Sequence, residues 1–77
     1  MELQTFIENF AEQFDETEVN VFSVGTNFRE LDEWSSLIGL SVIAMIDEEY
    51  DVTLRGEDMR KANTIGELFE IVKSKQE

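Results

Sequence analysis

Three segments of this chain place apolar residues every three or four positions, and no segment sustains the alternation of a strand. Leu3, Phe6, Ile7, Phe10 and Phe14 line one face of a helix over residues 2–14. Leu37, Leu40, Ile43 and Ala44 do the same over 36–50, with Val42, Ile46 and Tyr50 widening the stripe so that the helix is apolar around much of its circumference. Ile65, Leu68, Phe69, Ile71 and Val72 form the third stripe, over 65–75. Residues patterned this way bury their apolar faces by packing helix on helix. The expected fold is therefore all-α. With 77 residues, 1–77 forms a single domain.

The ends of these segments carry matching signals. Glu2 suits the first turn of the first helix. Ser35 is the N-cap candidate for the second. Gly39 inside that helix costs roughly 1 kcal/mol against alanine, which would be explained by a close approach there. Asn63 or Thr64 is the cap candidate for the last helix. Thr64 with Glu67 three residues on resembles a capping box, and Lys73 and Lys75 suit the last turn. A short helical turn is expected over 57–62, opened by Glu57 and Asp58 and closed by Arg60 and Lys61.

Residues 15–35 have no sustained period. Gly25, Thr26 and Asn27 read as a turn. A short strand through Val19–Val24 is the rival reading, but no second segment looks like its partner. A connection this long is often functional, and its apolar residues point to packing across the domain. The sum is a small bundle of three main helices and one short one, with a long loop between the first and second.

Composition narrows the chemistry. The chain has no His and no Cys, which removes the usual general base, thiolate chemistry and the commonest metal ligands. An enzyme is not expected. The formal charge is −12, from 18 acidic and 6 basic residues. Such a surface repels polyanions, so no nucleic-acid partner is expected. No apolar run approaches the roughly 20 residues of a membrane span, and the N-terminus lacks a signal-peptide pattern. A cytoplasmic monomer with no membrane insertion is the expectation. Asp47, Glu49, Asp51 and Asp58 mimic calcium-loop spacing, but the glycine that such a loop needs is Val52, so no metal site is expected.

Acidic residues concentrate around one serine. Glu30, Asp32, Glu33, Asp47, Glu48, Glu49 and Asp51 fall in a stretch without Lys or Arg, and Trp34-Ser35-Ser36-Leu37 lies inside it. A serine at a helix start presents its hydroxyl for modification, and a phosphate there meets free backbone N–H groups and the positive dipole end. Asp47, Glu48 and Glu49 stand near a helix C-terminus, where the dipole disfavours them. A docking patch for Lys and Arg on partners accounts for that placement.

From Phe28-Arg29-Glu30-Leu31 through Ser35-Ser36-Leu37 and Asp47-Glu48-Glu49-Tyr50, then Leu54 and Thr64-Ile65-Gly66-Glu67-Leu68, the chain resembles the acyl carrier proteins. The likeness covers nearly its whole length. It implies a four-helix bundle that carries acyl intermediates as thioesters on a 4′-phosphopantetheine arm, without catalysing. Ser36 matches the serine of the family's Asp-Ser-Leu motif, the attachment point. The implied partners are a phosphopantetheinyl transferase, which draws the arm from coenzyme A, and acyl-transferring, condensing and reducing enzymes with basic docking patches. Implied partner contacts are Leu37, Ile38, Leu40, Asp47, Glu48, Glu57 and Asp58. Phe28, Ile46, Leu54, Met59, Ala62 and Leu68, most simply core, would open to shelter an acyl chain. The chain departs from the family where Ser35 replaces the aspartate and where Ile38, Gly39 and Ser41 replace polar or acidic residues. That hints at a dedicated lipid, polyketide or cell-envelope pathway instead of general fatty acid synthesis. The competing function is an unmodified acidic helical adaptor for basic proteins.

Overall fold

Four α-helices enclose one apolar core in the computed structural model, which describes residues 2–76. They are α1 (Leu3–Ala11), α2 (Ser36–Tyr50), α3 (Gly56–Lys61) and α4 (Ile65–Gln76). No strand forms among the described residues, and the only β-type pairing there is an isolated bridge between Asn27 and Thr64. No described helix is long and apolar enough to cross a membrane.

The stripes of α1 and α4 become the core, whereas in α2 Leu37, Leu40 and Ala44 face outward and Val42, Met45 and Ile46 face inward. Phe6, Phe10, Phe28, Val42, Ile46, Ile65, Leu68 and Val72 are fully buried. Side chains of this size contribute roughly 1.5–3 kcal/mol each on burial. Phe6 joins three helices, with its ring 5.6 Å from Tyr50 of α2 and 5.5 Å from Phe69 of α4. The Tyr50 hydroxyl, at the edge of this contact, accepts a hydrogen bond from Asn9 Nδ2 at 2.9 Å.

Helix α1 stops at Ala11, short of the expected residue 14. The N–H groups of Gln13 and Phe14 reach back three residues, to Phe10 and Ala11 at 3.1 and 3.0 Å. This tightened turn brings Phe14 against Phe22 at 5.0 Å and Phe10 at 5.5 Å. Glu2 lies one residue ahead of the helix in extended conformation, not inside its first turn.

Residues 12–35 are organised without regular structure. Two single 3₁₀ turns, Val19–Val21 and Phe28–Glu30, replace the rival strand. Glu33 ties the connection to itself. Its carboxylate accepts from the backbone N–H groups of Asp15 at 2.6 Å, Glu16 at 3.0 Å and Thr17 at 2.9 Å, and from the Thr17 hydroxyl at 2.7 Å. These are donors that no helix or strand takes up. The far half is fastened to the start of α4: Ile65 N–H donates to the Thr26 carbonyl at 3.1 Å and Gly66 N–H to the Val24 carbonyl at 2.9 Å. Val24 and Thr26 are thus held against the start of α4.

The predicted limits of α2 hold at both ends. Ser35 Oγ accepts from Ile38 N–H at 3.3 Å, and Asp51 stops the helix in the left-handed region at φ 58°. At α4 both halves of the capping box are present. Thr64 Oγ1 accepts from Glu67 N–H at 3.1 Å, and Glu67 accepts from Asn63 and Thr64 N–H at 2.7 and 3.1 Å.

Candidate functional site

Ser36 is the first residue of α2 and is exposed. Ser35, in extended conformation before it, spends its side chain capping Ile38 N–H. The N–H groups of Ser36 and Leu37 precede the first intrahelical hydrogen bond, which runs from Gly39 N–H to the Ser35 carbonyl at 2.9 Å. A hydroxyl on a rigid element, open to a second macromolecule and close to unsatisfied donors, is the result. The rigidity comes from behind. Trp34 sits 4.7 Å from the Phe28 ring and stacks at 6.3 Å on Phe14, which fixes the approach to α2. Trp34 therefore packs within the long connection and its Phe14 end.

The surface beside Ser36 is apolar. Leu37 is 74% exposed and Leu40 63% exposed. With exposed Ala44, Asp47 and Glu48 they make the outward face of α2. The apolar circumference of this helix is thus explained by a buried side (Val42, Met45, Ile46) and an uncovered one. Ile38 is different from Leu37 and Leu40: it is half-buried and packs on the core.

Among the acidic positions, Asp47, Glu48 and Glu57 are exposed, but Asp58 is not free for a partner. It is 8% exposed, and its carboxylate accepts from Arg55 N–H at 3.0 Å and faces Lys75 Nζ at 3.6 Å. The Arg55 N–H holds its carboxyl below the ordinary carboxylate range, with burial opposing and the Lys75 ammonium assisting. Asp58 shapes the start of α3, and its expected docking role gives way to this one. Asp47 and Glu49 lie within α2, so the apparent calcium-loop spacing falls on a helix.

Phe28, Ile46, Leu54, Met59, Ala62 and Leu68 are brought together, all buried in the core. Beside Ser36 a cleft of about 300 Å³ opens between α2 and α3, lined by Arg29, Trp34, Ser35, Ser36, Gly39, Leu40, Ile43, Gly56, Met59 and Arg60. Met59 belongs to both sets, so one wall of the cleft is continuous with the buried group.

Two residues with structural consequence for the site were not singled out from the sequence. Arg29 donates through Nε to the Ala62 carbonyl at 3.0 Å and through Nη2 to the Met59 carbonyl, bracing the end of α3 against the Phe28–Glu30 turn. A lone cation between the acidic runs was the available signal. Glu33, which staples residues 15–17, had none, because its partners lie far back in the chain. Comparison of the chain with protein-family models, curated proteins and solved structures gave no significant match.

Proposed function

We propose that this chain is an acyl carrier protein, a four-helix bundle whose long first loop packs over the core. Ser36 bears a 4′-phosphopantetheine arm received from coenzyme A through a phosphopantetheinyl transferase. The observation that carries the reading is the exposed Ser36 hydroxyl at the first residue of α2, with the preceding serine occupied as the cap. The cap leaves one serine for the helix and one for the arm. The order of elements, the long connection and the acidic end of α2 agree with it. Acyl-transferring, condensing and reducing enzymes would dock on Leu37, Leu40, Asp47 and Glu48, where apolar contact adjoins negative charge. Its working place is the cytoplasm.

Mass spectrometry after incubation with coenzyme A and a phosphopantetheinyl transferase tests this. The wild type gains one phosphopantetheine unit and Ser36→Ala gains none, while both melt alike. If several competent transferases leave the wild-type mass unchanged, the carrier reading falls and the acidic adaptor takes its place. Leu37 and Leu40 would then serve as the contact face for a basic partner.

A further inference from the structure

The chain has 18 acidic and 6 basic side chains, yet the one ion pair among the described residues is Lys75–Asp58. The two guanidinium groups lining the cleft beside Ser36, those of Arg29 and Arg60, have no carboxylate partner among the described residues. Arg29 is bound to two main-chain carbonyls and keeps its charge. Arg60 makes no hydrogen bond to another described side chain or carbonyl. Its backbone lies in the last turn of α3, but its guanidinium does not stand at that end of the helix, where the dipole would favour it. The guanidinium lies back along the helix, the usual direction of a long helical side chain, with Nη1 3.4 Å from where a Cβ on Gly56 would stand. That posture places it beside Gly56, the first residue of α3, on the wall of the cleft.

Building on the reading of Ser36 as the arm-bearing residue, we propose that this cleft holds the arm's phosphodiester, with Arg60 as its counter-charge. The phosphorus is one bond from Ser36 Oγ, so of all parts of the arm it is the one that must lie at the cleft's rim. A guanidinium presents paired donors that match two phosphate oxygens, which an ammonium does not. The carbon after the ester methylene bears two methyl groups, and the apolar side of the cleft, Trp34 and Leu40, suits them. Binding the phosphate here adds its charge to a −12 chain at a point where cations stand close. It also directs the root of the arm along α3 instead of out into solvent.

The test compares loaded and unloaded protein by backbone amide and arginine Nε–H shifts and by phosphorus NMR. The proteins are wild type, Arg60→Gln and Arg60→Lys, with melting curves confirming that all three are folded. Loading should shift Gly56 and Arg60 Nε–H in the wild type. In Arg60→Gln the Gly56 shift should fall by half or more and the phosphorus line should sharpen, with Arg60→Lys between. Ser36→Ala titrated with millimolar inorganic phosphate should leave Gly56 unmoved. Loading by mass with shifts confined to the start of α2, or with equal shifts in Arg60→Gln, overturns the cleft and leaves the carrier reading standing. A full Gly56 shift from inorganic phosphate alone assigns the cleft to free phosphate and overturns the tethered role. No mass gain in the wild type removes both readings.

Discussion

A Cβ added at Gly66 would lie 2.7 Å from Cγ2 of Val24 and 3.0 Å from its carbonyl oxygen. The exposed Val24 side chain can rotate away. Its carbonyl cannot, because Gly66 N–H is bonded to it at 2.9 Å. At Gly39 the added Cβ would meet only the edge of the Trp34 ring, at 3.5 Å, an ordinary contact. The same substitution should therefore act with opposite signs. Gly39→Ala gains helix propensity of up to about 1 kcal/mol and meets no obstacle. Gly66→Ala gains less at a helix start and must displace backbone, at a cost of about 1–3 kcal/mol for overpacking. Urea midpoints at unchanged m-value should rise for Gly39→Ala and fall for Gly66→Ala. The sequence drew attention to Gly39, because glycine in mid-helix is visibly costly. Its expected close approach is not required by any neighbour. Gly66 carried no such signal, since its constraint comes from a residue distant in the chain. Ser35 was legible for the opposite reason: a cap and the N–H it serves are three residues apart.

Helices announce themselves locally, and connections are decided by what they touch. Helix α3, read from its end charges, forms one residue earlier than expected, over Gly56–Lys61. The limits of α2 and the start of α4 followed from caps and stripes within a few residues of each end. The end of α1 did not, because it is set by Phe14 turning in to meet Phe22. The path of residues 12–35 was equally hidden, since the Glu33 carboxylate fixes its near half and backbone bonds to the start of α4 its far half. Glu33 is held below the ordinary carboxylate range chiefly by the Thr17 hydroxyl, with burial opposing and the N–H groups of Asp15, Glu16 and Thr17 assisting. Glu67 is lowered by the N–H groups of Asn63 and Thr64, against burial. A carboxylate lowered in the folded state stabilises it fully above the unfolded value, about 4.3 for glutamate. The contribution is lost as pH falls through the lower folded value. The staple should accordingly persist at neutral pH and open in acid. The Thr17 amide resonance should titrate with a midpoint below the free glutamate value in the wild type. In Glu33→Gln that titration should vanish, and the amides of Asp15, Glu16 and Thr17 should exchange faster at every pH. A Thr17 midpoint at or above the free value would remove Glu33 as the fastener.

At the scale of the molecule the excess of carboxylates opposes compactness. A formal charge of −12 is confined within a radius of gyration of 11.2 Å, relieved among the described residues by one ion pair. The Debye length is about 10 Å at 0.1 M salt, comparable to that radius, so moderate salt screens repulsion across the domain. The melting temperature should rise from low to moderate salt, and each kcal/mol relieved moves it by roughly 4–8 °C in a domain of this size. Asp47 and Glu48 sharpen the point. They are exposed on the outward face of α2 near its C-terminal end, where the dipole disfavours negative charge by a few tenths of a kcal/mol at least. Folding gains nothing from them, so their value has to lie outside it. The double variant Asp47→Asn, Glu48→Gln should melt higher than the wild type at low salt. It should also be loaded at Ser36 severalfold more slowly by a transferase with a basic face. The two rates should converge as salt rises, because surface charge acts mainly on association. Stability and recognition thus move in opposite directions in one variant. A general unfolding defect would lower both, and a merely solvated surface would leave loading untouched.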